Sequence, residues 1–171
     1  IEDQLLKPSS AARNITISYS ILAVLKMATG LMSGSVGLIA DGVDTTVDTV
    51  ASSIVWAGIK LKKGLIGTLT IIALMFVTAA ILSFESVTSI IKNIQGTFIP
   101  MTMPLVVIFV EGLVVVAMFL ISYYQRFVGR RSQSLPLISQ SIDSQSSIYS
   151  AIAVVIGAVF TLFGIHSVDA V

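Results

Sequence analysis

Apolar stretches long enough to cross a bilayer recur along this chain, separated by polar or Gly/Pro-marked breaks. A helix rises about 1.5 Å per residue, so roughly 30 Å of hydrocarbon takes about 20 residues. Five runs meet that requirement, at about 14–33, 36–61, 64–92, 102–127 and 134–165. The breaks read "SGS", "KLKKG", "NIQGTFIPMTMP" and "QRFVGRRSQS" in turn. The pattern predicts an all-α membrane protein. The closing "GIHSVDAV" reads as a short outer turn and the start of a sixth span at about 168, so the expectation is a six-helix bundle whose sixth helix is cut off. The break "KLKKGLIG" is short for a helix connection, which usually takes about 2–8 residues, and predicts a loop missing after Lys63.

Charge gives the spans a direction. Lys7 and Arg13, then Lys60, Lys62 and Lys63, then Arg126, Arg130 and Arg131 gather at alternate ends, whereas the opposite ends carry Lys92 and His166. By the positive-inside rule the N-terminus is cytoplasmic, and the cell (inner) membrane is the expected location. The N-terminal "IEDQLLKPSSAARN" lacks the basic start, apolar core and cleavage site of a signal peptide.

Composition narrows the chemistry further. The 171 residues are 55% hydrophobic and 11% charged, with a mean hydropathy of +0.97, which excludes an ordinary soluble domain. Ten basic and nine acidic residues nearly cancel, so a nucleic-acid surface is not indicated. A single histidine excludes a site of several imidazoles, and the absence of cysteine excludes thiolate ligands.

Against that background "GLIADGVDTTVDTVASS", residues 37–53, stands out for three acids inside a span. Steps of three and four residues nearly close a helical turn, so Asp41, Asp44, Thr45 and Asp48 share one face. Asp44 lies about nine residues, or roughly 14 Å, from the helix start near Ser35, close to the bilayer midplane. An acid at that depth costs a few kcal/mol even on lenient scales, so the stripe must face the bundle interior and be protonated or meet a cation.

The chain also resembles itself. "SVGLIADGVDTTVDTVAS" aligns with "SLPLISQSIDSQSSIYSA", which sets Ser35 against Ser134, Asp41 against Gln140, Asp44 against Asp143 and Asp48 against Ser147. The fifth span has its own polar stripe of Ser139, Gln140, Asp143, Ser147 and Ser150. The second and fifth spans run in opposite directions, so this is an inverted repeat of three helices plus three, a pattern that brackets midplane sites in transporters. Helices two and five are therefore expected to pack with Asp44 facing Asp143.

"LKMATGLMSGSVGLIADGVDTTVDTVASSIVWAGIKL" resembles the first two helices of the cation diffusion facilitators, through Lys26, Gly30, Ser33-Gly34-Ser35, Ala40-Asp41, Asp44 and Asp48. "FES" at Glu85, "VGRR" before the fifth span and "SVDAV" at the sixth are similar to that family too. The resemblance implies a homodimeric divalent-metal/proton antiporter working by alternating access, with six spans and a cytoplasmic ferredoxin-like domain that is absent from this sequence. It implies a transport site of Asp44, Asp48 and Asp143. Ser147 stands where the family usually has another Asp, so one proton-carrying group is lost, and Gln140, Asp41 or water is left to supply the remaining oxygen.

Such a donor set is all oxygen, which suits manganese, calcium or magnesium better than zinc. The family resemblance agrees, since an Asp at the position of Asp44 resembles the manganese branch. The expected cargo is Mn(II), then Fe(II), then Zn(II), with protons as the counter-ion and no resident cofactor. Metal and protons compete for the same carboxylates, which is the physical basis of exchange.

Other readings exist for several residues. Asp41 also reads as a residue that bonds a neighbouring helix, and Lys26 as a snorkelling or charge-balancing cation. Glu111, near the middle of the fourth span, reads equally as a relay acid or the partner of a basic group. His166 reads as a solvated loop residue. Gly30, Gly34, Gly37 and Gly42 read as positions of close helix approach. Two other functions place acids on two spans. An intramembrane aspartyl protease would use Asp44 and Asp143 as a dyad, but "ADGVD" and "LPL" stand in place of its Gly-x-Gly-Asp and Pro-Ala-Leu motifs. A passive cation channel would use acid rings, usually with a pore loop, and no re-entrant segment is visible in the sequence.

Overall fold

The computed structural model describes residues 7–61 and 102–163, together with scattered helical positions between 69 and 88. Four long helices, Pro8–Ser33, Val36–Lys60, Pro104–Arg131 and Leu135–Leu162, are the first, second, fourth and fifth spans. The third span, the loop after Lys63, Glu85, His166 and the start of the sixth span fall wholly or largely outside the described residues.

Helix ends follow local chemistry more than the apolar runs do. The first helix starts at Pro8, well ahead of its apolar run, because a proline in the first turn lacks only an N–H that would have no helical partner. The fourth helix runs on to Arg131, where two arginines meet the negative end of the helix dipole. Gly34 ends the first helix in the left-handed region at φ 66°, and the Ser35 hydroxyl then caps the second by accepting from the Leu38 N–H at 3.1 Å. At the other tight turn Gln133 takes the same region at φ 49°, and the Ser134 N–H closes back on the Gly129 carbonyl at 2.9 Å.

These turns make two antiparallel hairpins, first with second and fourth with fifth. The hairpins pack with the first helix against the fourth and the second against the fifth. Thr102 ties them at one end by donating its N–H and its hydroxyl to the Ser33 carbonyl, at 2.8 and 3.0 Å. Large apolar side chains such as Val24, Met32, Phe109, Phe119 and Tyr149 point outward and are well exposed. The first, fourth and fifth helices are long and apolar enough to cross a membrane. The second has the length, with 25 residues, but carries three acids, two of which it buries in the bundle.

Lipid is as apolar as leucine, so what joins these helices is close packing and polar contact rather than expulsion of water. Ala11, Ala12, Ala51 and Ala151 let backbones approach around Ile15, Val55, Val114 and Met118. Close approaches occur at glycine. A Cβ on Gly30 would stand 2.9 Å from the Ile39 side chain, and one on Gly129 would stand 3.0 Å from that of Ile138, with backbone nitrogen almost as near in both cases. Gly30→Ala and Gly129→Ala are each expected to lose about 1–3 kcal/mol by forcing a hairpin apart. Thermal unfolding in detergent checks this, with Gly112→Ala as the control, because a Cβ there meets nothing within 4 Å.

Both glycines sit at the same place in the internal repeat, 99 residues apart, as do Asp48 and Ser147. Buried Ile15, Tyr19 and Lys26 on the first helix correspond likewise to buried Val114, Met118 and Gln125 on the fourth. The repeat thus extends from the second and fifth spans to the first and fourth.

Candidate functional site

Three layers of buried polar residues stack along the bundle. The middle layer joins the second and fifth helices. Ser147, 2% exposed, donates its hydroxyl to Asp48 Oδ2 at 3.0 Å. The Asp48 and Asp143 carboxyls are neighbours, near enough for one to hydrogen-bond the other when it carries a proton. Asp44 is partly buried on the same stripe, within the field of Asp143, Asp41 and Lys26. Helices two and five pack against each other as expected, but the carboxyl that lies against Asp143 is that of Asp48, one turn further along the stripe, and Asp44 meets Asp143 only through its charge. Among the described residues no group of three or more acidic or histidine side chains closes around one ion position in this conformation.

The layer nearer the Ser33–Ser35 turn is charged. Lys26 is fully buried, and its ammonium donates to Asp41 Oδ2 in a short ion pair and to the Thr45 hydroxyl at 3.0 Å. Thr45 in turn donates to the Asp41 carbonyl at 2.8 Å, as helix-interior threonines do. Asp41 thus bonds a neighbouring helix, and Lys26 balances its charge. Glu111 on the fourth helix is fully buried beside this pair, and neither of its carboxylate oxygens has a donor.

The layer nearer the Ser132–Ser134 turn is neutral. The Tyr19 hydroxyl meets that of Ser144 in a short hydrogen bond, and Ser144 donates to Gln125 Oε1 at 2.6 Å. The amide of Gln125 reaches back to the Tyr19 oxygen at 3.5 Å. Gln140 is 1% exposed, and both its amide oxygen and its amide nitrogen are without partners, so a buried oxygen donor is left free one turn from Asp143. The repeat relates the two outer layers: Lys26 with Thr45 in one stands where Gln125 with Ser144 stands in the other. Tyr19, Gln125 and Ser144 were not predicted as site residues. Applying the offset of 99 to Lys26 and Thr45 finds the last two.

Residues 14–171 match the cation efflux transmembrane domain. The chain belongs to the cation efflux family. It is similar to the magnetosome protein MamB of Paramagnetospirillum magneticum, 28% identical over 162 residues, and to MamB of Magnetospirillum gryphiswaldense, 28% identical over 165 residues. Each alignment covers 88% of this chain and 54% of the relative, so the chain spans about half the length of these proteins. As a member of the cation efflux family it is an all-helical integral membrane protein of a family that transports metal cations.

Within that family setting the middle layer is the one suited to a metal. Carboxylates on two facing helices and a hydroxyl, with the free amide oxygen of Gln140 one turn away in the neighbouring layer, are hard donors of the kind that hold manganese, magnesium or calcium. The layer of Lys26 and Asp41 already contains its own cation, and the layer of Tyr19, Gln125 and Ser144 contains no acid.

Proposed function

We propose that this chain is the membrane domain of a homodimeric antiporter that moves Mn(II) out of the cytoplasm in exchange for protons by alternating access. Fe(II) is the second cargo in order and Zn(II) the third. The N-terminus is cytoplasmic, and the protein resides in the cell membrane. The observation that carries this reading is the meeting of Asp48, Asp143 and Ser147 across the second and fifth helices, with Asp44 beside them. The ligands are Asp44, Asp48, Asp143 and Ser147, completed by Gln140 or water. Asp41 is committed to Lys26 and is outside the set.

A dication supplies the positive charge that these acids lack in a dry interior, and protons supply it when the ion is gone. The same oxygens cannot hold both, so loading one releases the other. Ser147 donates its hydroxyl to Asp48 Oδ2, and an ion held by both oxygens would take the place of that hydrogen bond. Reconstituting the full-length protein in liposomes tests the reading. Manganese flux driven by a pH difference is expected, and Asp143→Ala is expected to reduce it at least about tenfold. Flux that runs without any response to the pH gradient would favour a passive channel, and peptide cleavage without flux would favour a protease.

A further inference from the structure

Glu111 has no counterpart in the repeat. An offset of 99 carries it back to Ala12, a small packing residue at the same buried position of the first helix. A carboxyl stands there with no exposure to solvent and without a donor for either oxygen, beside the Asp41 carboxyl and near enough to hydrogen-bond it when one of the two carries a proton. Among the described residues the charged groups that act on it are Lys26 of the first helix and Asp41 of the second, and these two already form an ion pair.

Charge arithmetic then defines what fits. One ammonium and two carboxylates sum to a single negative charge, which one monovalent cation neutralises and a dication would overshoot. Left bare, an unmatched carboxylate in such an interior is strongly disfavoured. A proton needs no coordination shell, which suits a carboxyl with no exposure to solvent. Glu111 lies seven residues, about 10 Å along the helix, from Pro104, on the side of the middle layer nearer the Ser33–Ser35 turn. Asp44 is within the field of Asp41 and Lys26, so charge in one layer is felt in the other.

We propose that Glu111 is a proton-carrying residue of the transport cycle, taking the place of the acid that Ser147 lacks. This rests on the antiport reading above. With the metal site empty, Glu111 keeps its O–H bond and the layer is neutral. When a dication enters the middle layer its field favours release; the O–H bond breaks, and the proton passes to the solvent on the accessible side. The cycle thereby exchanges one proton more per metal ion than the middle layer does alone.

The test uses the full-length protein in liposomes, with the membrane potential clamped at zero and the pH difference fixed. With no potential, the limiting manganese gradient rises tenfold per pH unit for every coupled proton. Glu111→Gln, nearly the same shape, is therefore expected to lower the limiting gradient about tenfold per pH unit while flux continues. Glu111→Ala, which restores the residue of the first helix, is expected to match it, and Glu111→Asp to keep the wild-type gradient. A Gln or Ala variant that reaches the wild-type gradient overturns the proposal and leaves antiport standing. Wild-type protein that builds no gradient from the pH difference overturns both.

Discussion

A Lys26→Met variant is expected to lose about 3–5 kcal/mol of folding stability, because it strands the Asp41 carboxylate in the bundle without its ammonium. Both side chains are almost completely buried, so water cannot screen the loss. Thr45 would lose the same donor, and Glu111 would be left facing an uncompensated acid. The double variant Lys26→Met/Asp41→Asn removes both charges together and is expected to recover most of the stability. Denaturation of the purified protein in mixed micelles measures both. A double variant no more stable than the single one would mean that lost packing, not an unpaired charge, is responsible. The expected recovery also separates this layer from the metal site: a protein without the ion pair but with Asp44, Asp48 and Asp143 intact should still bind manganese.

Replacing Asp44 with His should raise the zinc-to-manganese affinity ratio about tenfold or more, equivalent to about 1.4 kcal/mol. The proposed ligands are all oxygens, and an imidazole introduces a borderline nitrogen donor that zinc prefers. Removing Asp143 by substitution with Ala should instead weaken both ions, since it takes a hard ligand from either. Zinc already binds mixed sites more tightly than manganese, so the ratio within each variant is the informative quantity. Titration calorimetry on wild type, Asp44→His and Asp143→Ala supplies it. Unchanged binding in Asp143→Ala, or an unchanged ratio in Asp44→His, would remove these residues from the ligand set.

Much of the architecture is written in one-dimensional pattern. Runs of apolar residues long enough for a bilayer give the spans, and helical spacing alone puts Asp41, Asp44, Thr45 and Asp48 on one stripe. The match of Asp48 to Ser147 also came from sequence, and the structure joins those two residues by a hydrogen bond. Repeat units that bury equivalent faces keep equivalent residues at the buried positions, so an alignment of the chain with itself carried real contact information. The same alignment, extended to the first and fourth helices, leads to Gln125 and Gly129.

Tertiary structure decided how acids of equal appearance divide into different roles. On the stripe Asp41 and Asp44 lie less than one turn apart and nothing in the local sequence separates them. The first helix does so, by turning back at Gly34 so that Lys26 reaches Asp41 and not Asp44. Glu111 read equally as a relay or an ion-pair partner, because its surroundings come from helices far away in the chain. Packing showed that Lys26 already pairs with Asp41, leaving both Glu111 oxygens without a donor. Helical periodicity fixes which side of a helix is polar. The charge that a buried acid meets depends on which other helix lies across from it, and only the assembled bundle determines that.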